Sequence, residues 1–168
     1  FFKQKTAYEI TYGDWSSDVC SSDLTSDSIT SPADDPHAWK LMSGEPVKPE
    51  LLDDLHFAWR VVARTRSNAI VMAHSQCTIG IGAGNVNRLD AARSAISAAR
   101  THHPEKLQYS VAASDAFFPF PDALEILAEA GITAIVQPGG SINDGAVIEA
   151  ARKAGISMYF TEIRHFSH

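Results

Sequence analysis

The feature that most constrains this chain is the alternation of short apolar runs with amphipathic helical stretches over residues 49–160. Leu52, Leu55, Trp59 and Val62 recur at helical spacing after Pro49, with Glu50, Asp53 and Asp54 toward the positive end of the helix. Residues 69–73 and 78–81 then read as two strands joined by the polar segment 74–77. A second helix, beginning after Asn85-Val86-Asn87, carries Leu89, Ala92, Ile96 and Ala99 on one face and ends before Pro104. Beyond it, residues 111–114, 133–137 and 157–160 read as strands separated by helices over 122–130 and 144–154. Gly131 and Gly155 stand where helix C-caps are expected. Such alternation predicts an α/β fold, a sandwich of helices around a central sheet. Residues 26–48, rich in Ser, Asp and Pro, read as an irregular connection into a subdomain over 49–168.

Composition narrows function more than fold. The chain has 168 residues, 45% of them hydrophobic, with 14 basic against 20 acidic side chains and a formal net charge of -6. That describes one ordinary domain. It supplies no cationic field for a nucleic-acid backbone or an anionic membrane surface, so neither is an expected partner. No apolar run approaches the roughly 20 residues that span a bilayer.

The first residues require separate treatment. Lys3, Lys5, Glu9 and Asp14 interrupt the segment, so it does not read as a secretory leader. The strings over residues 3–10 and 14–24 resemble a sequencing-library index adapter read in frame, with Thr11-Tyr12-Gly13 at the variable index. Residues 1–25 are therefore expected to be foreign to the domain and disordered. A natural Ser- and Asp-rich tail is the plainer alternative. Without that segment Cys77 stands alone, which excludes an internal disulfide or a Cys-X-X-Cys site. Lacking a basic neighbour to activate it, Cys77 reads as a structural thiol in a reducing cytoplasm.

Four loops are read as following strands, where α/β sheets place ligands. Ser67-Asn68 is by spacing alone a turn with a local Asx-type bond. Residues 80–85, Gly-Ile-Gly-Ala-Gly-Asn, offer backbone N–H groups to an anion at a helix start, but lack the full dinucleotide fingerprint. A tight turn needing positive φ accounts for those glycines equally well. Residues 114–122 crowd three aromatics and two carboxylates together, which reads either as packing under a loop or as a wall for a flat heterocycle. Residues 137–141, Gln-Pro-Gly-Gly-Ser, make a plain strand-to-helix connection or present amides to a ligand. The final Arg164-His165-Phe166-Ser167-His168, just behind the apolar Tyr159-Phe160, reads as a docked tail.

Taken in order, Ser67-Asn68-Ala69-Ile70-Val71, Gly80 to Gly84 with Asn87-Arg88, Ser114 to Asp122, Gln137 to Ser141 and Arg164-His165-Phe166 resemble the AICAR transformylase family over about residues 39–168. Asn85 departs from the Gln more usual in that family, whereas Pro121 is similar to a subset of the family in which other members carry Arg. The resemblance implies a cytidine-deaminase-like αβα sandwich with a mixed central sheet, a cytoplasmic homodimer with active sites between subunits, and no zinc. It implies formyl transfer from 10-formyltetrahydrofolate to the amino group of the aminoimidazole carboxamide ribotide (AICAR), in a purine-biosynthesis protein that also carries IMP cyclohydrolase. It assigns Asn68 to the oxyanion, Arg88 and Phe117 to the ribotide and its ring, Arg164 to the 5'-phosphate and Asp122 to the folate. In some members Ser67 and Asp115 fall at a structural potassium ion. The family's catalytic Lys-His pair lies upstream of these residues. No Lys-His dipeptide occurs in this chain, so the fragment alone is expected to be inactive. Two rivals remain: a non-catalytic nucleotide-binding or dimerisation module, and a nicotinamide-dependent oxidoreductase.

Overall fold

The computed structural model describes residues 35–165. The expectations for residues 1–25 and for Phe166 and His168 lie outside them. Among the described residues are four α-helices and six strands: β1 (Lys40–Ser43), α1 (Pro49–Val62), β2 (Ile70–His74), β3 (Cys77–Gly82), α2 (Arg88–His102), β4 (Ser110–Ser114), α3 (Asp122–Glu129), β5 (Ile132–Gln137), α4 (Asp144–Lys153) and β6 (Ser157–Phe160). The strands form one sheet in the order β1-β6-β5-β4-β2-β3. Pairing is parallel from β4 through β5 to β6, and antiparallel for β1 on β6, β2 on β4 and β3 on β2. This is the mixed-sheet α/β sandwich that the sequence predicts.

Strand alternation divides the core in two, because successive side chains point to opposite faces. On one face Ala69, Val71, Ala73, Val111, Ala113, Ala134 and Val136 pack against Leu55, Ala58, Trp59 and Val62 of α1. Ile70, Met72, Ala112 and Ile135 face the other way, onto α2, α3 and α4 through Ala91, Ala95, Ala99, Leu124, Leu127, Val147 and Ala151. β2 and β4, buried on both faces, are accordingly almost continuous apolar runs. No helix among the described residues is long and apolar enough to cross a membrane.

Local chemistry explains several helix boundaries. Pro49 starts α1 where its missing N–H costs nothing. Asn87 caps α2, accepting from Asp90 N at 2.8 Å while its own amide donates to Asp90 Oδ2 at 2.7 Å. Gly131 and Gly155 end α3 and α4 at φ +106° and +70°.

Other features differ from the sequence reading. β1 lies inside residues 26–48, read as irregular: Lys40 and Leu41 pair with Phe160 and Tyr159, and Trp39 stacks edge-on to Trp59 with ring centroids 6.1 Å apart. Four residues starting with Lys carry no period that could reveal an edge strand. Asp54 is buried, and its carboxylate accepts from Ser75 N at 2.8 Å and Gln76 N at 2.6 Å. Those two residues form the β2–β3 turn at φ +52° and +53°, the left-handed pair a tight hairpin requires, here without glycine. Cys77 is exposed as the first residue of β3, so it does no packing work.

Gly80 and Gly82 belong to β3 rather than to an anion-binding loop. A Cβ on Gly80 would lie 2.2 Å from Ala95 O, and one on Gly82 would lie 1.9 Å from Ala91 O. These glycines let α2 rest directly on the strand. Of the three glycines, Gly84 alone takes positive φ, at +64°.

Candidate functional site

All the loops singled out from the sequence meet at one end of the sheet. Three of them follow β3, β4 and β5. Ser67-Asn68 precedes its strand instead, and reaches the same end because β2 runs antiparallel, pairing Ile70 with both Ser114 and Gly82.

Asp115 is the centre of the first cluster. It is wholly buried beyond β4, and Oδ1 accepts from Ala69 N at 3.0 Å and forms an ion pair with the Arg88 guanidinium. Its Oδ2 accepts from Ser67 Oγ at 2.6 Å. Arg88, at the start of α2 and 6% exposed, donates further to Ala69 O at 2.9 Å and to Asn68 Oδ1 at 3.2 Å. Arg88 Nε is buried without a hydrogen-bond partner. Removing two charges from water costs several kcal/mol each, a cost that the ion pair and the hydrogen bonds from Ser67 Oγ and Ala69 N and to Ala69 O and Asn68 Oδ1 offset.

Asn68 is fully occupied. Its Nδ2 donates to Asn85 O and Val86 O, each at 3.1 Å, and its Oδ1 faces Arg88. The arginine, a donor only, fixes which end of the amide is which. Asn68 therefore presents a donor to a ligand only by releasing a carbonyl, and the Val86 bond is the solvent-exposed one.

The second cluster lies two residues further on. Phe117 is half-buried, and the exposed Arg164 places its guanidinium carbon 4.6 Å from the ring centroid. Arg164 arrives there on a docked segment: Thr161 N donates to Gln137 O, Glu162 N to Pro138 O and His165 N to Asp115 O, each at 3.0 Å. The His165 ring packs 4.5 Å from Trp59. His165 thus joins the two clusters, a role invisible in a His-containing tail because both partners are distant in sequence.

Asp122 stands apart from both groups. It is exposed at the first turn of α3, and its Oδ1 accepts from Ala123 N at 2.7 Å. Gly139 packs so closely on Phe160 that a Cβ would come within 2.3 Å of its ring, and Gly140 folds back so that its N–H reaches Asp144 Oδ2 at 2.7 Å. For potassium, Ser67 Oγ and Asp115 Oδ2 are oxygens of the kind a hard cation takes, while the guanidinium on Oδ1 already balances the carboxylate. No group of three or more His, Cys, Asp or Glu side chains among the described residues gathers into a metal site.

Comparison with known proteins adds an independent line. A family model described as AICARFT/IMPCHase bienzyme matches residues 15–98. That range takes in Ser67, Asn68 and Arg88, stops short of Asp115, and begins inside the adapter-like segment. Two Corynebacterium glutamicum proteins, from strain R and a second strain, each named bifunctional purine biosynthesis protein PurH, are 55% identical over 142 residues. The alignments take in 84% of this chain and 27% of each relative, so the chain spans about a quarter of their length. Among solved structures, a Thermotoga maritima diaminohydroxyphosphoribosylaminopyrimidine deaminase/5-amino-6-(5-phosphoribosylamino)uracil reductase aligns with TM-score 0.41 and 22% identity, over 62% of this chain and 33% of that one.

Proposed function

Because this chain belongs to the AICARFT/IMPCHase bienzyme family, we propose that it forms the C-terminal part of a formyltransferase site, moving a formyl group from 10-formyltetrahydrofolate to the amine of AICAR. The observation that carries this reading is the convergence of Ser67, Asn68, Arg88, Asp115, Phe117 and Arg164, from loops far apart in sequence, at one end of the sheet.

Attack of an amine on a formyl carbon gathers negative charge on the carbonyl oxygen, and a preorganised amide N–H stabilises it. Asn68 supplies that donor once its exposed bond to Val86 O opens, with Arg88 holding its Oδ1 and thereby its orientation. Arg88 Nε, buried and without a hydrogen-bond partner, has a proton to offer the ribotide. Phe117 offers a face to the aminoimidazole ring, and Arg164 a planar fork to the 5'-phosphate. A ring stacking on the face that Arg164 covers moves the guanidinium off it, toward the phosphate. Asp122, exposed at the loop's end, is assigned to the folate. A potassium ion at Ser67 Oγ and Asp115 Oδ2 would brace the loops and take no part in the chemistry. The Lys-His pair that moves the proton is assigned to the upstream part of the parent protein, which we take to be a cytoplasmic homodimer that also carries IMP cyclohydrolase.

The test uses the full-length protein. Arg164→Ala raises the KM for the ribotide at least tenfold and leaves that for the folate unchanged, since only the ribotide carries a 5'-phosphate. Arg164→Lys recovers part of the loss, keeping charge without the fork. Asn68→Ala lowers kcat by about 10²–10³. Equal losses toward both ligands from Arg164→Ala would make the tail structural and refute the assignment. Calorimetric binding of NAD in place of ribotide and folate would favour an oxidoreductase.

A further inference from the structure

The connection from β5 to α4 spends its polar side chains on a neighbouring loop. Asn143 occupies the N-cap position of α4, where a side-chain oxygen ordinarily accepts from an amide two or three residues on, yet it makes no such bond. Its Nδ2 donates to Pro119 O at 2.9 Å, a carbonyl 24 residues away. Gln137, the last residue of β5, is wholly buried, and its Oε1 accepts from Phe118 N at 2.9 Å. Its Nε2 has only the weakly accepting Met158 Sδ, at 3.3 Å. An apolar residue of similar size would suit the core equally well, but would leave the Phe118 N–H buried and unpaired.

Both ties grip the backbone immediately after Phe117, one on Phe118 N and one on Pro119 O. Phe118 is driven into the core, whereas Phe117 stays half-buried beneath Arg164. The same connection carries Gln137 O and Pro138 O, which anchor Thr161 and Glu162 on the way to Arg164. One short segment therefore holds both the aromatic ring and the approach of the cation.

We propose that Gln137 and Asn143 are positioning residues that set the height of Phe117 against Arg164, and so the fit of a planar heterocycle carrying a phosphate. This rests on reading Phe117 and Arg164 as the ribotide contacts. A recognition platform works only when held within about 0.5 Å of its productive place, and these amides supply the hold. Asn143, at the surface, has given up its helix cap to provide it.

The discriminating variant is Asn143→Ser in the full-length protein. Serine caps α4 as well as asparagine does, but is too short to reach Pro119 O. The thermal midpoint is expected to hold or rise, while the KM for the ribotide rises about three- to tenfold, the size of one net hydrogen bond, with kcat and the folate KM within twofold. Asn143→Gln, which keeps the amide, recovers part of the loss. Gln137→Met acts in the same direction more strongly if it folds. In a Phe117→Ala background the Asn143→Ser effect disappears, because there is no ring left to position. An unchanged ribotide KM in Asn143→Ser, or an equal effect with and without Phe117, overturns the proposal. If Phe117→Ala and Arg164→Ala themselves leave ribotide KM unchanged, it is the reading of the site that fails.

Discussion

Replacing Gly82 with alanine tests the closest approach in the fold. The new Cβ would sit 1.9 Å from Ala91 O, 2.8 Å from Ala91 C and 3.1 Å from Ala91 Cα. All three are backbone atoms, so no rotamer change relieves the clash. Restoring even a carbon–oxygen contact of about 3.3 Å requires α2 to retreat by about 1.4 Å. That retreat opens a gap along Ala91, Ala95 and Ala99, whose small side chains cannot fill it. Overpacking typically costs about 1–3 kcal/mol, and with rigid partners on both sides the loss belongs at or above about 3 kcal/mol. Gly145 is the control. It lies in α4 with nothing within 4 Å of the Cβ that alanine would add, so Gly145→Ala stabilises by about 0.4–1 kcal/mol through the unfolded chain. Urea midpoints of the two variants should move in opposite directions at unchanged slope. A Gly82→Ala midpoint equal to that of the unsubstituted chain would refute the close-approach account. So would a fall in Gly145→Ala of similar size, since glycine replacement as such would then be the cause.

Arg88→Ala leaves the Asp115 carboxylate buried without its countercharge, and should cost about 3–5 kcal/mol by urea unfolding. Adding Asp115→Asn should recover part of that loss, and strict additivity of the two would contradict the pairing. Asp54→Ala frees two turn amides held in left-handed backbone, for an expected loss of about 1.5–3 kcal/mol, with Asp54→Asn losing less. No change in either Asp54 variant would mean the hairpin holds itself. Deletion of residues 1–25 is expected to leave the unfolding midpoint within error, and a large fall would show that the segment belongs to the folded protein.

Sequence alone determined what depends on neighbours along the chain. Apolar residues at helical spacing marked α1 and α2, continuous apolar runs marked β2 and β4, and Gly131 and Gly155 marked helix ends, because periodicity and left-handed backbone are local properties. Motif order pointed to the family and to the residues proposed for the site. Tertiary structure decided whatever pairs groups distant in the chain. A Gly-X-Gly run has the same letters whether it cradles an anion or admits a helix, and only the position of Ala91 and Ala95 against β3 chose between them. Asp54 read as an acid toward the positive end of a helix, yet it holds a hairpin, and Asp144 in the first turn of α4 holds a glycine loop. β1 exists because β6 has an open edge for it, not because residues 40–43 favour a strand. Asn143 stands at the N-cap of α4, and only the fold brought Pro119 O close enough to claim its side chain.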